Sequence, residues 1–336
     1  MQDYKSASYQ FDFIVALKRI SQVNFYGPGF NIYNKKDNLN DILKKINIHI
    51  DCIFIGHSWL SDKNEDFSVP NTLNLKELKI PKFIFLNKEY VNLQYKLQFI
   101  SDNKFDACFT HHNNISFYKN KTKIPFYFIP FAFNSSRLHK EKYNKKIDIF
   151  FSGILKNQNR NNLQTNYRVN VMNSIFITFL NIKFSKRKFF SKYNIFWNSI
   201  PNYKISKIIS KFLNQYKYLD DNKYDKLIKN SKIVINSLSP MGLVSPRYYE
   251  TMATRSIIFS EKSEKLTEII PSKYIIYSEN NNTSISNQLL NILNNYKKYE
   301  SILDEAQQYV FDNHTWDHRA QKVLKIIHNK VFDNDI

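Results

Sequence analysis

Ile233-Val234-Ile235-Asn236, with Ser245-Pro246-Arg247-Tyr248-Tyr249-Glu250-Thr251-Met252-Ala253 close behind, decides the fold of this chain. The β-branched run stops at Asn236, a loop with Pro240 and Gly242 follows, and Ser-Pro then opens a helix, with Ser245 as N-cap and Pro246 at the first helical position. Arg247 falls in the first turn. The N-terminal end of a helix is already its positive pole, so a cation there costs roughly a few tenths of a kcal/mol. A bound anion reverses that sign, because free N–H groups and a guanidinium fork both suit phosphate oxygens. Glu250 lies three residues on, one turn deeper on the same face, where a carboxylate can accept both hydroxyls of a ribose. The same two residues also read as an ordinary i, i+3 ion pair on a solvated face.

Outward from this unit the chain keeps alternating strand and helix signals, the pattern of a parallel α/β sheet. In the first half the expected strands are Val23 to Tyr26, Cys52 to Ile55, Phe83 to Leu86, Ala107 to Thr110 and Phe126 to Ile129, with helices such as Asn38 to Ile46 and Val91 to Ile100 between them. The charged segment His139 to Lys146 reads as a linker. A second alternating unit opens at Ile147-Asp148-Ile149-Phe150-Phe151-Ser152-Gly153, with strands expected near Ile182, Ile233, Ile257 and Ile275 and helices near 165–180, 222–230, 246–254 and 284–308. The expected architecture is two Rossmann-like domains facing across a cleft, over 1–143 and 147–314. The chain opens on a helical pattern, Tyr4 to Ile20, where such a domain opens on a buried strand, so the expectation is that either the first strand of the N-terminal domain is absent or the chain starts later than its relatives do. Thr315 caps a last amphipathic helix over 315–331, expected to pack back on the first domain.

Composition bounds the reading. A length of 336 residues favours two domains. The 28 Phe and 22 Tyr supply ample core. Only five glycines are present, where average usage of about 7% predicts more than twenty, so each is worth locating. They are Gly27, Gly29, Gly56, Gly153 and Gly242, all at or just past an apolar run, which suits either tight turns or close approach of the backbone to a ligand. Cys52 and Cys108 lie inside expected strands and give neither a disulfide framework nor zinc spacing. No apolar stretch approaches a membrane span and no signal peptide is seen, so a soluble cytoplasmic protein is expected. The net charge of +20 is concentrated: Ile149 to Leu219 holds no acidic residue, while basic residues run from Lys156, Arg160 and Arg168 to Lys217. Such a field attracts nucleotides, anionic glycans, acidic lipid or nucleic acid, although no nucleic-acid-binding motif is present.

Three features in order carry a resemblance: a strand ending Phe-Phe-Ser-Gly, the Ser-Pro-Arg-Tyr-Tyr-Glu-Thr-Met-Ala helix start, and the closing His314-Thr315-Trp316-Asp317-His318-Arg319 before the last helix. Over about 147 to 331 the chain resembles the nucleotide-binding domain of GT-B glycosyltransferases of the "glycosyl transferases group 1" type. The resemblance implies a transferase that moves a sugar from a nucleotide-sugar donor to a glycan or lipid-linked acceptor in surface polysaccharide or glycoconjugate assembly. The second domain would then bind the donor and the first the acceptor. It also implies that Glu250 binds the nucleotide ribose, that Arg247 lies near the diphosphate, and that the Gly153 loop with Lys156 and Arg160 lines the same site, as do Gly242 and Ser245. No metal or other cofactor is expected. Two positions depart from the family: Gly242 stands eight residues before Glu250, where retaining families carry a further Glu, and Thr254-Arg255-Ser256 replaces the usual Gly after Met-Ala. A GT-B-like nucleotide-sugar epimerase and a non-enzymatic basic binding protein are the alternatives.

Ligands of open parallel sheets bind beyond the carboxyl ends of the strands. In the first half that rule nominates Gly56-His57-Ser58-Trp59, Asn87-Lys88-Glu89-Tyr90 and Thr110-His111-His112-Asn113. Glu89, His57 and His112 are the candidates for the base that an inverting transfer to a hydroxyl requires, each with a structural role as its alternative. Asp220-Asp221 precedes a helix pattern and reads as a cap rather than a metal site. Between Lys183 and Lys217 basic residues interleave with Phe184, Phe189, Phe190 and the helical spacing Ile205, Ile208, Ile209, Phe212, Leu213. That stretch suits either a core-facing helix with a solvated lysine face or peripheral contact with an anionic membrane.

Overall fold

The computed structural model describes residues 8–27, 30–56, 73–89, 91–154, 167–175, 193–200, 219–279 and 281–332. Two compact units result: Met1–Ala132 with Trp316–Ile336, and Phe133–Thr315. The sequence reading drew the first domain to 143, yet the stretch after Ala132 is held by the second unit. Phe133 N donates to His314 O at 3.2 Å, and Arg137 forks onto Asp225 at 2.9 and 2.6 Å.

The first unit is a four-stranded parallel sheet in the order β1 (Ile53–Ile55), β2 (Lys82–Phe85), β3 (Ala107–Thr110), β4 (Phe126–Phe128). β2 and β3 are buried at every residue, the near-continuous apolar run that a sheet covered on both faces demands. α2 (Leu39–Ile46) precedes β1, while α3 (Leu93–Asp102) and α4 (Ile115–Lys119) run between β2 and β3 and between β3 and β4. Asn38 and Asp41 close a reciprocal capping box at the start of α2. The strand expected at Val23 to Tyr26 does not form. Tyr26 uses its phenol instead, donating to Asn34 O at 2.7 Å and to Asp37 Oδ2 at 2.9 Å, while Phe25 stacks on Phe30 at 5.4 Å. Aromatic residues that suit a strand here organise a loop, and among the described residues no strand precedes β1.

Helix α1 (Ser8–Ile20) packs against α11 (Trp316–Phe332), the last helix of the chain. Phe13, fully buried, meets Phe54 at 6.2 Å, Phe85 at 5.5 Å and Trp316 at 5.9 Å. Arg319 donates through Nε to Pro130 O at 2.9 Å and through Nη2 to Phe131 O at 3.1 Å, which fixes α11 to the chain leaving β4. The Trp and Arg of the closing motif are therefore structural anchors of the first unit.

His111 sits among them, stacked on Phe131 at 3.6 Å with Nδ1 donating to Ile129 O at 2.7 Å. Burial, reinforced by the Arg319 charge, pulls its pKa down to about 3. The unfolded chain binds the proton more readily, so the contribution is complete above about pH 6.5 and is lost as the pH falls toward 3. Stability is expected to drop by about 1 to 2 kcal/mol between pH 6.5 and 5, and His111→Phe should flatten that slope in urea unfolding. An unchanged slope in the variant would refute the assignment.

The second unit is a five-stranded parallel sheet ordered β6-β5-β7-β8-β9. Its strands are β5 (Ile147–Ile154), β6 (Ile195–Ile200), β7 (Ser231–Ile235), β8 (Ile257–Ser260) and β9 (Ile275–Tyr277). β6 was not foreseen, since Asn198-Ser199 interrupts its apolar run, and the strand expected near Ile182 lies outside the described residues. Side chains alternate across the sheet. Ile149, Phe151, Ile233, Ile235, Ile257 and Phe259 pack on one face with Val171 and Ile175 of the helix over 167–175, here α5, and with Ile285, Leu289 and Ile292 of α9 (Asn282–Asn294). The opposite face carries α6 (Asp221–Lys229) and α7 (Pro246–Ala253), with the rings of Phe150 and Tyr224 5.9 Å apart. α8 (Glu264–Thr267) follows β8. The long helix expected over 284–308 is two, α9 and α10 (Glu300–Asn313), parted at Asn295 by a turn over Tyr296–Tyr299.

Candidate functional site

The strand order of the second unit dictates where a ligand belongs. The chain steps from β5 outward to β6, then returns to the other side of β5 for β7, β8 and β9. In such doubly wound sheets the ligand lies outside the carboxyl ends at that reversal. Here those ends are Ser152-Gly153-Ile154 of β5 and Asn236-Ser237-Leu238 after β7. The opening of α7 follows the second of them in sequence.

Ser245 occupies the N-cap position of α7 with an extended backbone (φ −71°, ψ 162°) and Pro246 follows it, but the Ser245 hydroxyl makes no capping bond. The loop before it is held by geometry specific to glycine. Gly242 has φ +77°, and a Cβ there would meet Lys265 Cδ at 2.6 Å. Lys265 Nζ in turn donates to Met241 O at 3.0 Å.

Arg247 and Glu250 share a face of α7, yet no surface ion pair joins them. Tyr224 of α6 stands between, its hydroxyl donating to Glu250 Oε2 at 2.8 Å and accepting from Arg247 Nε at 3.3 Å. Burial pushes the half-buried Glu250 carboxyl above the usual range, against the pull of the Tyr224 bond and of the Arg137 and Arg247 charges. The Arg137–Asp225 fork on α6 backs this group.

At the far ends of the same two helices, Lys145 Nζ donates to Lys229 O at 3.0 Å, Thr254 O at 2.6 Å and Ser256 Oγ at 2.8 Å. One ammonium thus ties the carbonyl ends of α6 and α7 together and fixes Tyr224 relative to Glu250. Arg255, two residues past Ala253, takes a left-handed backbone conformation, with φ +54°. Its side chain pairs with Asp304 at 2.6 Å.

Glu89 and His112 come together at the carboxyl ends of β2 and β3 in the first unit. Thr110 Oγ1 donates to Glu89 Oε1 at 2.6 Å and accepts from His112 N at 3.0 Å. Both are buried, Glu89 at 1% and His112 at 3% exposure, rather than displayed at an edge as the sequence suggested. Burial raises the Glu89 carboxyl above its usual range, opposed by the Thr110 bond and the Lys96 charge. Lys96, itself buried, donates to Asn87 O at 2.7 Å and Lys88 O at 3.0 Å and so fixes the loop that carries Glu89.

His57, Lys156, Arg160 and most of the basic stretch 183–217 lie outside the described residues. Gly153 is the last residue but one of β5, and a Cβ there would lie 3.0 Å from the Phe151 ring. Asp220 caps α6, its side chain accepting from Lys223 N at 2.8 Å, as expected for a helix start. Sequence reasoning passed over Tyr224, which has no local signal. It also passed over Glu261, although the strand-end rule applied to β8 points directly at it.

Residues 200–325 match the family model described as "Glycosyl transferase-like". No curated protein matches the chain in sequence. Among solved structures, a glycosyltransferase from Rickettsia africae ESF-5 aligns over 93% of this chain and 85% of its own at 12% identity, with a TM-score of 0.59. The pneumococcal O-GlcNAc transferase GtfA in complex with UDP and GlcNAc aligns over 90% of this chain at 12% identity and a TM-score of 0.53; the match spans 61% of that longer chain. The N-terminal domain of a Candida albicans trehalose-6-phosphate phosphatase also gives a TM-score of 0.53 at 12% identity, over 88% of this chain and 74% of its own. At such identities the likeness speaks for the fold, which is GT-B. Among the described residues no helix is long and apolar enough to cross a membrane.

Proposed function

We propose that this chain, a glycosyltransferase of GT-B fold and group 1 type, moves a sugar from a nucleoside diphosphate donor to a hydroxyl of a glycan or lipid-linked acceptor, in surface polysaccharide or glycoconjugate assembly. One observation carries the reading: Tyr224 holds Glu250 and Arg247 together on the helix that opens after the reversal of strand order. Glu250 accepts the ribose hydroxyls. Arg247 and the first-turn amides of α7 take the diphosphate and offset the charge that grows on it as the sugar leaves, so no metal is needed.

The first unit receives the acceptor. If the reaction inverts the anomeric centre, the acceptor hydroxyl must lose its proton, and Glu89, a stronger base than an ordinary carboxylate, is paired there with His112 for that task. If it retains, the departing diphosphate takes the proton.

Calorimetry against UDP, GDP, ADP, CDP and TDP tests the nucleotide reading, with UDP first because a structural relative was solved with it. One of them should bind; binding by none leaves a basic binding protein. A product assay with radiolabelled nucleotide sugars, run with and without acceptor glycolipids, tests the transfer. Free labelled sugar released without acceptor would identify an epimerase instead.

A further inference from the structure

Resting on the nucleotide reading above, we propose that Lys145 is a positioning residue for ribose recognition, which holds Glu250 and Tyr224 in register from the far ends of their helices. It touches no ligand itself. Lys145 lies two residues before β5, in a stretch that the sequence marks only as a charged linker. The fold puts its ammonium where α6 and α7 both end: it donates to Lys229 O, at the last residue of α6, to Thr254 O, at the C-cap of α7, and to Ser256 Oγ, at 3.0, 2.6 and 2.8 Å. All three donors of the group are used.

Two helices that end side by side bring two negative poles together, and a cation between them turns that repulsion into attraction. Water cannot take over the task, because Thr254 and Ser256 are buried. From this ammonium two paths lead to the site. Along α6, Tyr224 stands five residues before Lys229, about 7.5 Å of helix, and gives its hydroxyl to Glu250 Oε2. Along α7, the Thr254 hydroxyl donates to Glu250 O at 3.0 Å and lies 3.1 Å from Ser256 Oγ, while the Ser256 hydroxyl donates to Ser231 O at 2.8 Å, at the start of β7. The carboxyl and the main chain of Glu250 are thus tied to one ammonium by separate routes. A carboxylate that must meet two ribose hydroxyls tolerates little displacement, since a hydrogen bond weakens steeply as its geometry departs from linear. Without the ammonium the two helices lose their common anchor, and the ribose site loosens although every group that would contact the nucleotide is still present.

The experiment uses calorimetry on the full chain to compare the tightest-binding of UDP, GDP, ADP and CDP with its 2′-deoxy analogue, for the unsubstituted protein and for Lys145→Met, which keeps the length of the side chain and removes its donors. Lys145→Met should weaken the ribonucleotide about tenfold and the deoxy analogue by less than about twofold, so that the preference for ribose shrinks. A helix anchor with no part in recognition would lower the Tm and leave that ratio alone. An unchanged ratio in Lys145→Met, whether both nucleotides bind as before or both weaken equally, therefore overturns the proposal. If Lys145→Met does not fold, Ser256→Ala decides: it removes one of the three acceptors together with the contact to Thr254, and should reduce the ribose preference by about two- to threefold, whereas full preference retained counts against the proposal. Failure of the nucleotide reading looks different. An unsubstituted chain that binds no nucleoside diphosphate, or binds the ribo and deoxy forms equally, overturns that reading, and this proposal with it, before any variant is made.

Discussion

Glu250→Ala is expected to weaken binding of the cognate nucleoside diphosphate by about 1 to 3 kcal/mol, the loss that follows removal of a charged hydrogen-bond acceptor. The fold stays intact because Glu250 anchors no core: its bonded partner is the Tyr224 hydroxyl, which keeps Arg247 Nε as a neighbour when the carboxylate is gone. The assignment to ribose has its own check. A 2′-deoxy diphosphate should bind the unsubstituted chain more weakly than its ribo counterpart, and Glu250→Ala should erase that difference, as a thermodynamic cycle between directly contacting groups requires. Equal affinity for both nucleotides in the unsubstituted chain would remove Glu250 from the ribose. The pH dependence has a defined sign. Only the ionised carboxylate accepts from two hydroxyls, and burial raises its pKa, so affinity falls as the pH is lowered into the acid range and does so earlier than for an ordinary glutamate.

The parts of this molecule that could be read from the sequence are those decided by local pattern. The runs at Ile233–Ile235 and Ile257–Phe259 are apolar at consecutive positions because both faces of a parallel sheet are covered, and no other element of that length suits them. Pro246 after Ser245 marked a helix start for an equally local reason, a pre-set φ where the N–H is not needed. Reading failed where tertiary partners override propensity. Val23 to Tyr26 has strand residues, but the Tyr26 phenol is claimed by Asn34 and Asp37, and the segment serves a loop. Arg255 adopts a left-handed backbone that its residue type does not advertise, because Asp304 holds its side chain. The same limit governs the site. Arg247 and Glu250 are three residues apart and visible together. Tyr224 reaches them from a separate helix, and no local pattern in the sequence announces it.

Trp316→Ala should cost about 3 to 5 kcal/mol, the range for removing a large buried aromatic side chain. The indole is 2% exposed, meets Phe13 edge-on at 5.9 Å and lies 6.3 Å from the His111 ring, so its loss opens a void bounded by residues from α1, the chain just after β3 and α11. None of these can collapse into it cheaply. Phe13 is held on its other sides by Phe54 and Phe85, His111 is stacked on Phe131, and Arg319 pins α11 to the carbonyls of Pro130 and Phe131. A cavity that cannot relax exacts the full transfer and void terms together, against a total stability of about 5 to 15 kcal/mol for an ordinary domain. The loss should fall on the first unit, because Trp316 opens the one helix that returns there after the whole of the second unit has been built. Urea unfolding followed by amide exchange on the Phe13 and His111 segments, against the Ile233 and Ile257 strands, reads both the size and the place of the effect. A loss under about 1 kcal/mol, or one spread evenly over both units, would mean that the indole fills no essential space and that α11 is held by Arg319 and surface contacts alone.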